Sequence, residues 1–206
     1  MSGVCEVDGT SLRTIRVYKQ TTRFAKQVAE WRARYPRRAE PRYWLLHVRL
    51  LGAVQRSDSR KLCIFPAEYK LTQPKAVPPT ESTQEIVNSK LLTKVKRNAT
   101  LMADGNGAWS AAARSYPAKC FVVKHVKHSK AEFVKKAVGQ KSFGTQTLDR
   151  CWDVLKRAVP KEVGSRSKDA ASDTFRILTY VYAATWRRQL ADANLLEELG
   201  SLCRRA

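Results

Sequence analysis

The sequence predicts a mixed α/β fold, with one β-sheet covered by helices, and three observations support this prediction. Strand-like segments come first, in hairpin succession, and helical and strand-like segments then alternate along the chain. The segment 145–159 is strongly amphipathic, with its apolar residues on one helical face. Hydrophobic residues make up 43% of the 206 positions, which is enough for one domain with a substantial core.

Each element follows from a local pattern. Alternating residues predict a strand over 3–8 that ends in a turn at 8–11, and 14–19 is either its continuation or its partner. Apolar residues at helical spacing over 24–35, with Pro36 after them, predict a helix. The other predicted strands cover 43–54, 61–66, 99–103 and 120–125, and the other predicted helices cover 82–96, 108–116, 145–159, 169–189 and 191–202.

Three strands followed by alternating helices and strands is the element order of ribonuclease H-like proteins. The predicted fold class is therefore α/β, a ribonuclease H-like mixed sheet flanked by helices, with C-terminal helices. We expect a ribonuclease H-like catalytic domain over 1–166 and a C-terminal helical extension over 167–206 that packs on it.

The charge of the chain indicates a polyanionic partner. Lys and Arg number 39 against 18 Asp and Glu, which gives a net charge of +21. Such an excess favours binding to nucleic acid, because each phosphate contact releases counterions. The segment 19–42 holds eight Lys/Arg against two Glu. It is either a helix packed on the core with a solvated outer face or a helix that faces DNA, and the sequence favours neither.

Other classes of protein are disfavoured by features that the sequence lacks. No apolar run approaches the ~20 residues that a membrane span needs. The N-terminal residues lack a signal-peptide pattern, and the five scattered cysteines lack a C-x-x-C pair. We expect an intracellular protein with no membrane partner, placed in the nucleus if the host is a eukaryote and otherwise in the cytoplasm.

Three aspartates are the candidate catalytic and metal-binding residues. Asp8 and Asp104 follow strand-like runs, and Asp149 lies on the amphipathic helix, with Lys156 two turns later on the same face. A fold that brought the three carboxylates together would make a site for Mg²⁺, which prefers oxygen ligands. Taken singly, each has a structural alternative: Asp8 and Asp104 precede glycines, as turn residues do, and Asp149 is near a helix N-terminus.

Four sequence blocks resemble the catalytic domain of DDE-type insertion-sequence transposases of the ISXO-like class. Glu6–Thr10 is similar to the family's E-x-D-E-[ST] motif, and Met102–Trp109 to its D-G-x-x-x-[YW] block. Val126–Ser129, followed by Glu132–Val134, resembles V-N-H-S…E-F-V. Thr145–Arg157 resembles T-[NQ]-T-I-E-x-x-W-x-x-L-K-R. The four blocks occur in the family's order.

The resemblance implies that Asp8, Asp104 and Asp149 form an acidic triad that binds two Mg²⁺ or Mn²⁺ ions. It implies cleavage of transposon ends and strand transfer into target DNA, with transposon-end and target DNA as partners and a homo-oligomer as a further option. The DNA contacts that it implies are Lys156, Arg157, Gln146 and His128.

The chain departs from the family pattern at two acidic positions. Asp149 stands where the family has Glu, and Gly9 stands where it has an acid after the first aspartate. The family's zinc ribbon is absent, so the chain is a fragment, a decayed copy or a copy with another use. The alternative function is a non-catalytic nucleic-acid-binding protein derived from a transposase. A third reading is a ribonuclease H-type nuclease.

Overall fold

A six-stranded mixed sheet forms the centre of the protein. The computed structural model describes residues 1–18, 25–126, 145–163 and 170–189. The strands are β1 (Val4–Tyr18), β2 (Tyr43–Gln55), β3 (Asp58–Pro66), β4 (Lys70–Thr72), β5 (Thr100–Asp104) and β6 (Val122–Val126). Their order is β3-β2-β1-β5-β6, and β4 pairs with β2.

The strand directions identify the fold class. β1, β2 and β3 are antiparallel neighbours, whereas β1, β5 and β6 are parallel. An antiparallel meander extended by two parallel strands on the far side of β1 is the ribonuclease H-like arrangement. The predicted fold class is confirmed.

Helices cover both faces of the sheet. They are α1 (Ala25–Arg34), α2 (Thr83–Asn88), α3 (Gly107–Arg114), α4 (Gln146–Ala158) and α5 (Ala170–Gln189). One buried cluster joins α4 and α5 to the sheet, and a second cluster joins α2 and α3 to its other face. The apolar stripe predicted for α4 is buried, and its members are Leu148, Trp152, Leu155 and Val159. Within the described residues, no helix is long and apolar enough to cross a bilayer.

The predicted turn at 8–11 is wrong, because β1 runs through it without interruption. Residues Asp8 to Ser11 pair with Gly52 to Arg49 of β2, and a register shift between Ser11 and Arg13 absorbs the irregularity. β2 is long enough to pair with the whole of β1, so ladder hydrogen bonds override the local turn preference. The segment 14–18 is therefore the continuation of β1.

The predicted helix over 82–96 is shorter than expected. A capping box at Ser82 and Glu85 begins α2. Lys90 then adopts a left-handed conformation with φ of 56°, and a 3₁₀ turn over Leu91–Lys94 follows. This break turns Leu91 and Leu92 into the core, where both are fully buried. The predicted helix over 191–202 lies outside the described residues, and β4 was not predicted.

Candidate acidic site

Asp8 and Asp104 lie side by side on two adjacent inner strands of the sheet, where the pairing of β1 with β5 ends. β1 and β5 are parallel, and Val7 is in register with Ala103. The next residue on each strand is therefore an aspartate, on strands about 4.8 Å apart. Asp104 is the last residue of β5, so its side chain leaves the sheet where the chain turns towards α3. The sheet thus brings together two of the three predicted acids.

Asp149 lies on the first turn of α4, and its side chain is exposed. The Thr145 hydroxyl donates to Asp149 Oδ2 at 3.3 Å. The charge of Asp149 acts on Asp8, although more weakly than the charge of Asp104 does. The third predicted acid therefore lies on a helix near the same region, and its charge has a weaker effect on Asp8 than the charge of Asp104 has.

Glu6 attaches the N-terminus of α4 to the central strand. Its side chain is fully buried, and its Oε2 accepts a hydrogen bond from the backbone N–H of Leu148 at 2.8 Å. Burial raises the pKa of the Glu6 carboxyl, and the hydrogen bonds from α4 only partly oppose this effect. A carboxylate at a helix N-terminus is favourable because the helix dipole is positive there. Glu6 thereby holds the helix that carries Asp149.

Trp152 links α4 directly to Asp8. Its indole Nε1 donates to Asp8 Oδ2 at 3.2 Å. Its ring lies on Gly52, the residue of β2 opposite Asp8, where an added Cβ would come within 2.4 Å of the ring. Only glycine leaves room for this ring, so Gly52 sets the depth at which Trp152 meets the aspartate.

We predict that Gly52→Ala displaces Trp152 and destabilises the fold by about 1–3 kcal/mol, the usual cost of overpacking. Urea unfolding monitored by tryptophan fluorescence measures the loss. Gly105→Ala is the matched control, because an added Cβ at Gly105 meets no atom within 4 Å. Equal stability of the two variants would contradict the role assigned to Gly52.

A fourth carboxylate, Glu81, belongs to the same region and was missed in the sequence. Its charge acts on Asp8 more strongly than those of the other two acids. Asn106 Nδ2 donates to Glu81 Oε2 at 2.9 Å. The Glu81 carboxylate lies over Gly9, where an added Cβ would come within 2.1 Å of Oε1. Gly9 therefore leaves the space that the Glu81 side chain fills.

The pKa of Asp8 is raised to about 8. Burial is the largest cause, followed by the negative charges of Glu81 and Asp104, with a smaller effect from Asp149. A hydrogen bond from the backbone of Gly9 acts in the opposite direction. The site therefore concentrates more negative charge than its surroundings neutralise.

The donor chemistry of this site fits a divalent cation such as Mg²⁺ or Mn²⁺. Its side chains offer hard carboxylate oxygens, and the pKa of Asp8 is raised first by burial and then by the negative charges of Glu81 and Asp104, which a bound cation would offset. Across the described ranges, no three His, Cys, Asp or Glu side chains stand close enough together to hold a metal ion. To bind a cation, the carboxylates would have to move closer together. Their mutual repulsion opposes this movement until the cation is present.

The predicted DNA contacts fall on or near α4. Gln146 is exposed, Lys156 is half-buried, and exposed Arg157 pairs with Asp153 at 2.6 Å. His128 lies outside the described residues. A different histidine, His125, lies beside the acids: its Nδ1 is 2.7 Å from the backbone oxygen of Asp104. DNA contact by the predicted residues remains a prediction.

A buried ion-pair network centred on Arg49 adjoins the acidic site through Glu81. Arg49 is 2% exposed, and its Nη1 donates to Glu85 Oε1 at 2.6 Å. Its Nη2 lies 4.0 Å from Glu81 Oε1. Burial raises the pKa of Glu85, but hydrogen bonds from Lys70 and from the Ser82 backbone, together with the charge of Arg49, outweigh it, so that the pKa is lowered overall. Arg49 is thus the buried cation nearest to Glu81.

The strand order, with Asp8 and Asp104 on adjacent strands, is that of a ribonuclease H-like fold. No family model and no curated protein matches the chain. Among solved structures, the chain is similar to one from the simian T-cell lymphotropic virus intasome in complex with PP2A regulatory subunit B56 gamma. The identity is 12%, the TM-score is 0.45, and the match covers 90% of this chain and 48% of that chain. This chain therefore spans about half the length of that relative.

The chain is also similar to the catalytic core domain of BIV integrase. The identity is 10% and the TM-score is 0.42, with 89% of this chain and 83% of that chain covered. These structural neighbours are retroviral integrases. The fold class of this chain rests on its own strand order.

Proposed function

We propose that this protein is a polynucleotidyl transferase of the transposase and integrase type that cleaves DNA strands and joins them to a target. The observation that carries the proposal is the pair of Asp8 and Asp104 on adjacent parallel strands, with the charges of Glu81 and Asp149 acting on the same point. The net charge of +21 supports DNA as the substrate. The four sequence blocks favour the ISXO-like class, and transposon ends as the DNA that is cut.

The acids have distinct proposed roles. Asp8 and Asp104 would hold divalent ions between β1 and β5, and Asp149 would complete the set from α4. A pair of Mg²⁺ or Mn²⁺ ions in such a site supplies an activated hydroxyl nucleophile and stabilises the leaving oxygen. The Glu81 side chain is 10% exposed and is positioned by a hydrogen bond from Asn106. We propose it as the carboxylate that offsets the short side chain of Asp149.

The residues of α4 have a proposed role in DNA binding. Lys156, Arg157 and Gln146 lie on the helix that carries Asp149, so a DNA strand at the acids would pass along them. Phosphate contacts from Lys and Arg position a nucleic acid without reading its sequence. A homo-oligomer would supply a second acidic site for the second DNA end.

A non-catalytic nucleic-acid-binding protein is the second candidate. The observation that favours it is the exposure of Asp149, together with its side chain, which is one methylene shorter than glutamate. Mg²⁺ tolerates small errors of geometry poorly. Salt-dependent DNA binding is expected of both candidates, so metal-dependent chemistry must distinguish them.

Incubation of labelled duplex DNA with the protein and Mn²⁺ or Mg²⁺ tests the proposal. We expect cleavage or strand-transfer products, and Asp104→Ala should lower their yield at least about 100-fold, as expected for the loss of a metal ligand. Asp58→Ala is the matched control, because Asp58 is an aspartate at the start of β3 that pairs with Arg60 and belongs neither to the acidic site nor to the residues proposed to bind DNA. DNA binding without any metal-dependent product, or products unaffected by Asp104→Ala, would favour the binding protein. An RNA–DNA hybrid in parallel tests the ribonuclease H-type reading.

A further inference from the structure

A cavity of about 480 Å³ lies between α1 and β4. Its α1 side is formed by Trp31, Arg34 and Tyr35, together with Arg38 just beyond the helix. Its other side includes Lys70 and the rest of β4. The cavity belongs to the basic segment for which the sequence left two interpretations open.

Two arginines of the cavity are layered on an aromatic ring. The Arg38 guanidinium lies 4.8 Å from the centroid of the Tyr35 ring, and that of Arg34 lies 5.8 Å from it. The Trp31 ring centroid is 5.5 Å from that of Tyr35. A guanidinium group already placed over a ring loses less freedom when it binds an anion, and a guanidinium plane can also accept a stacked base.

The cavity rests on well-anchored residues. Trp31 packs edge-on against the fully buried Trp44, with centroids 6.2 Å apart. Lys70 is held by Glu85 at 2.8 Å. Glu30 and Glu68 also line the cavity, and Glu30 lies 4.0 Å from Lys26. The aromatic side of the cavity is therefore packed on the core through Trp44, and part of the acidic charge is already paired.

We infer that this cavity binds single-stranded nucleic acid, with a base stacked among Trp31, Tyr35 and Arg38 and the adjoining phosphate held by Arg34 and Arg38. Flat aromatic and guanidinium surfaces with positive charge are the features that bind unpaired strands without sequence preference. A paired base in a duplex offers no free face to such a surface. The inference requires no catalytic activity.

The distance between the cavity and the acidic site sets the length of strand that could occupy both. This point rests on the proposed function. Along β2, Asp8 is opposite Gly52, whereas β4 is opposite residues 45–47. Five to seven strand residues separate the two places, which corresponds to about 17–24 Å. An unpaired strand is more extended than the about 3.4 Å per nucleotide of a duplex strand, so a flank of a few nucleotides would reach from one site to the other.

Fluorescence anisotropy with labelled oligothymidine of about 12 nucleotides tests the cavity. We expect Tyr35→Ala to weaken binding about 5-fold or more, which is the range for loss of a stacking surface. Arg38→Ala should weaken binding and reduce the salt dependence by about 0.7 in log–log slope, because one phosphate contact is lost. Arg37→Ala is the matched control, since it removes the same charge one position away and does not line the cavity.

Three outcomes would overturn the inference. The first is equal weakening by Arg37→Ala and Arg38→Ala, which would reduce the effect to general charge. The second is unchanged binding in Tyr35→Ala. The third is a duplex of the same length that depends on Tyr35 as strongly as the single strand does. All of these measurements are made with the acids intact and without metal, so the proposed DNA chemistry can fail independently.

Discussion

Replacing Asp8 with asparagine is expected to abolish metal-dependent strand cleavage and, in metal-free buffer, to stabilise the fold above neutral pH. Cleavage should fall at least about 1,000-fold, because the proposed metal ligand on β1 loses its charge. Stability should rise because a charged carboxylate is no longer buried at this position and no longer repelled by Glu81 and Asp104. The asparagine oxygen can still accept the hydrogen bond from Trp152.

The direction of the pH dependence follows from the raised pKa. In the unfolded chain the Asp8 carboxyl has its ordinary pKa of 3.8, whereas in the folded protein its pKa is raised to about 8. Between these values the folded state holds more protons, so its stability falls as the pH rises, by up to about 1.4 kcal/mol per pH unit. Asp8→Asn removes this contribution, so the gain over the parent should grow from about pH 4 to about pH 8.

Urea unfolding at a series of pH values in the presence of a chelator measures the effect. Mg²⁺ should narrow the difference between parent and variant, since a cation bound only by the folded parent stabilises it. Asp153→Asn serves as the control, because Asp153 is exposed and forms a surface pair with Arg157. A difference that does not grow with pH would contradict the electrostatic account of the site.

Replacing Glu85 with glutamine is expected to destabilise the protein by about 3–5 kcal/mol, because it leaves the buried Arg49 with only the carboxylate of Glu81, 4.0 Å away, as a charged partner. Arg49 is 2% exposed, and Glu85 is its partner at 2.6 Å. Glu85 also accepts hydrogen bonds from Lys70 and from the Ser82 backbone. In glutamine only the amide oxygen accepts hydrogen bonds, because the amide nitrogen is a donor. The capping box at Ser82, which begins α2, is therefore weakened as well.

The surface pair of Arg157 and Asp153 gives the comparison for this substitution. Its distance is also 2.6 Å, but its side chains are 71% and 65% exposed. Exposed pairs contribute about 0–1 kcal/mol, so Asp153→Asn should change the urea midpoint only slightly. Similar shifts for Glu85→Gln and Asp153→Asn would show that burial does not govern the Arg49 network.

The parts of the site that follow from strand periodicity could be predicted from the sequence. Apolar runs before Asp8 and Asp104 indicated that each acid follows strand residues, and the parallel pairing of β1 with β5 brings the two acids together. Only Asp104 is at a strand end, because β1 continues past Asp8 to Tyr18. The helical spacing of apolar residues in α4 likewise placed Trp152 in the core. These inferences needed only the periodicity of apolar residues.

The parts that depend on tertiary pairing could not be predicted. The residues from Asp8 to Ser11 resemble a turn, yet they lie in the long ladder with β2. Glu81 follows a proline-rich loop, and only the folded chain places its carboxylate over Gly9. The cavity beside Trp31 depends on β4, whose three residues are too few for a recognisable pattern.

The attachment of α4 to β1 also determines when, during synthesis, the acidic site can form. Glu6 and Asp8 leave the ribosome before their partners Leu148 and Trp152, which follow 142 and 144 residues later. At about 5–20 residues per second, the delay is roughly 7 to 30 s. Through that interval the nascent chain already carries the basic segment around α1 but has no completed acidic site. A ribosome-bound chain should therefore bind nucleic acid before its acidic site is complete.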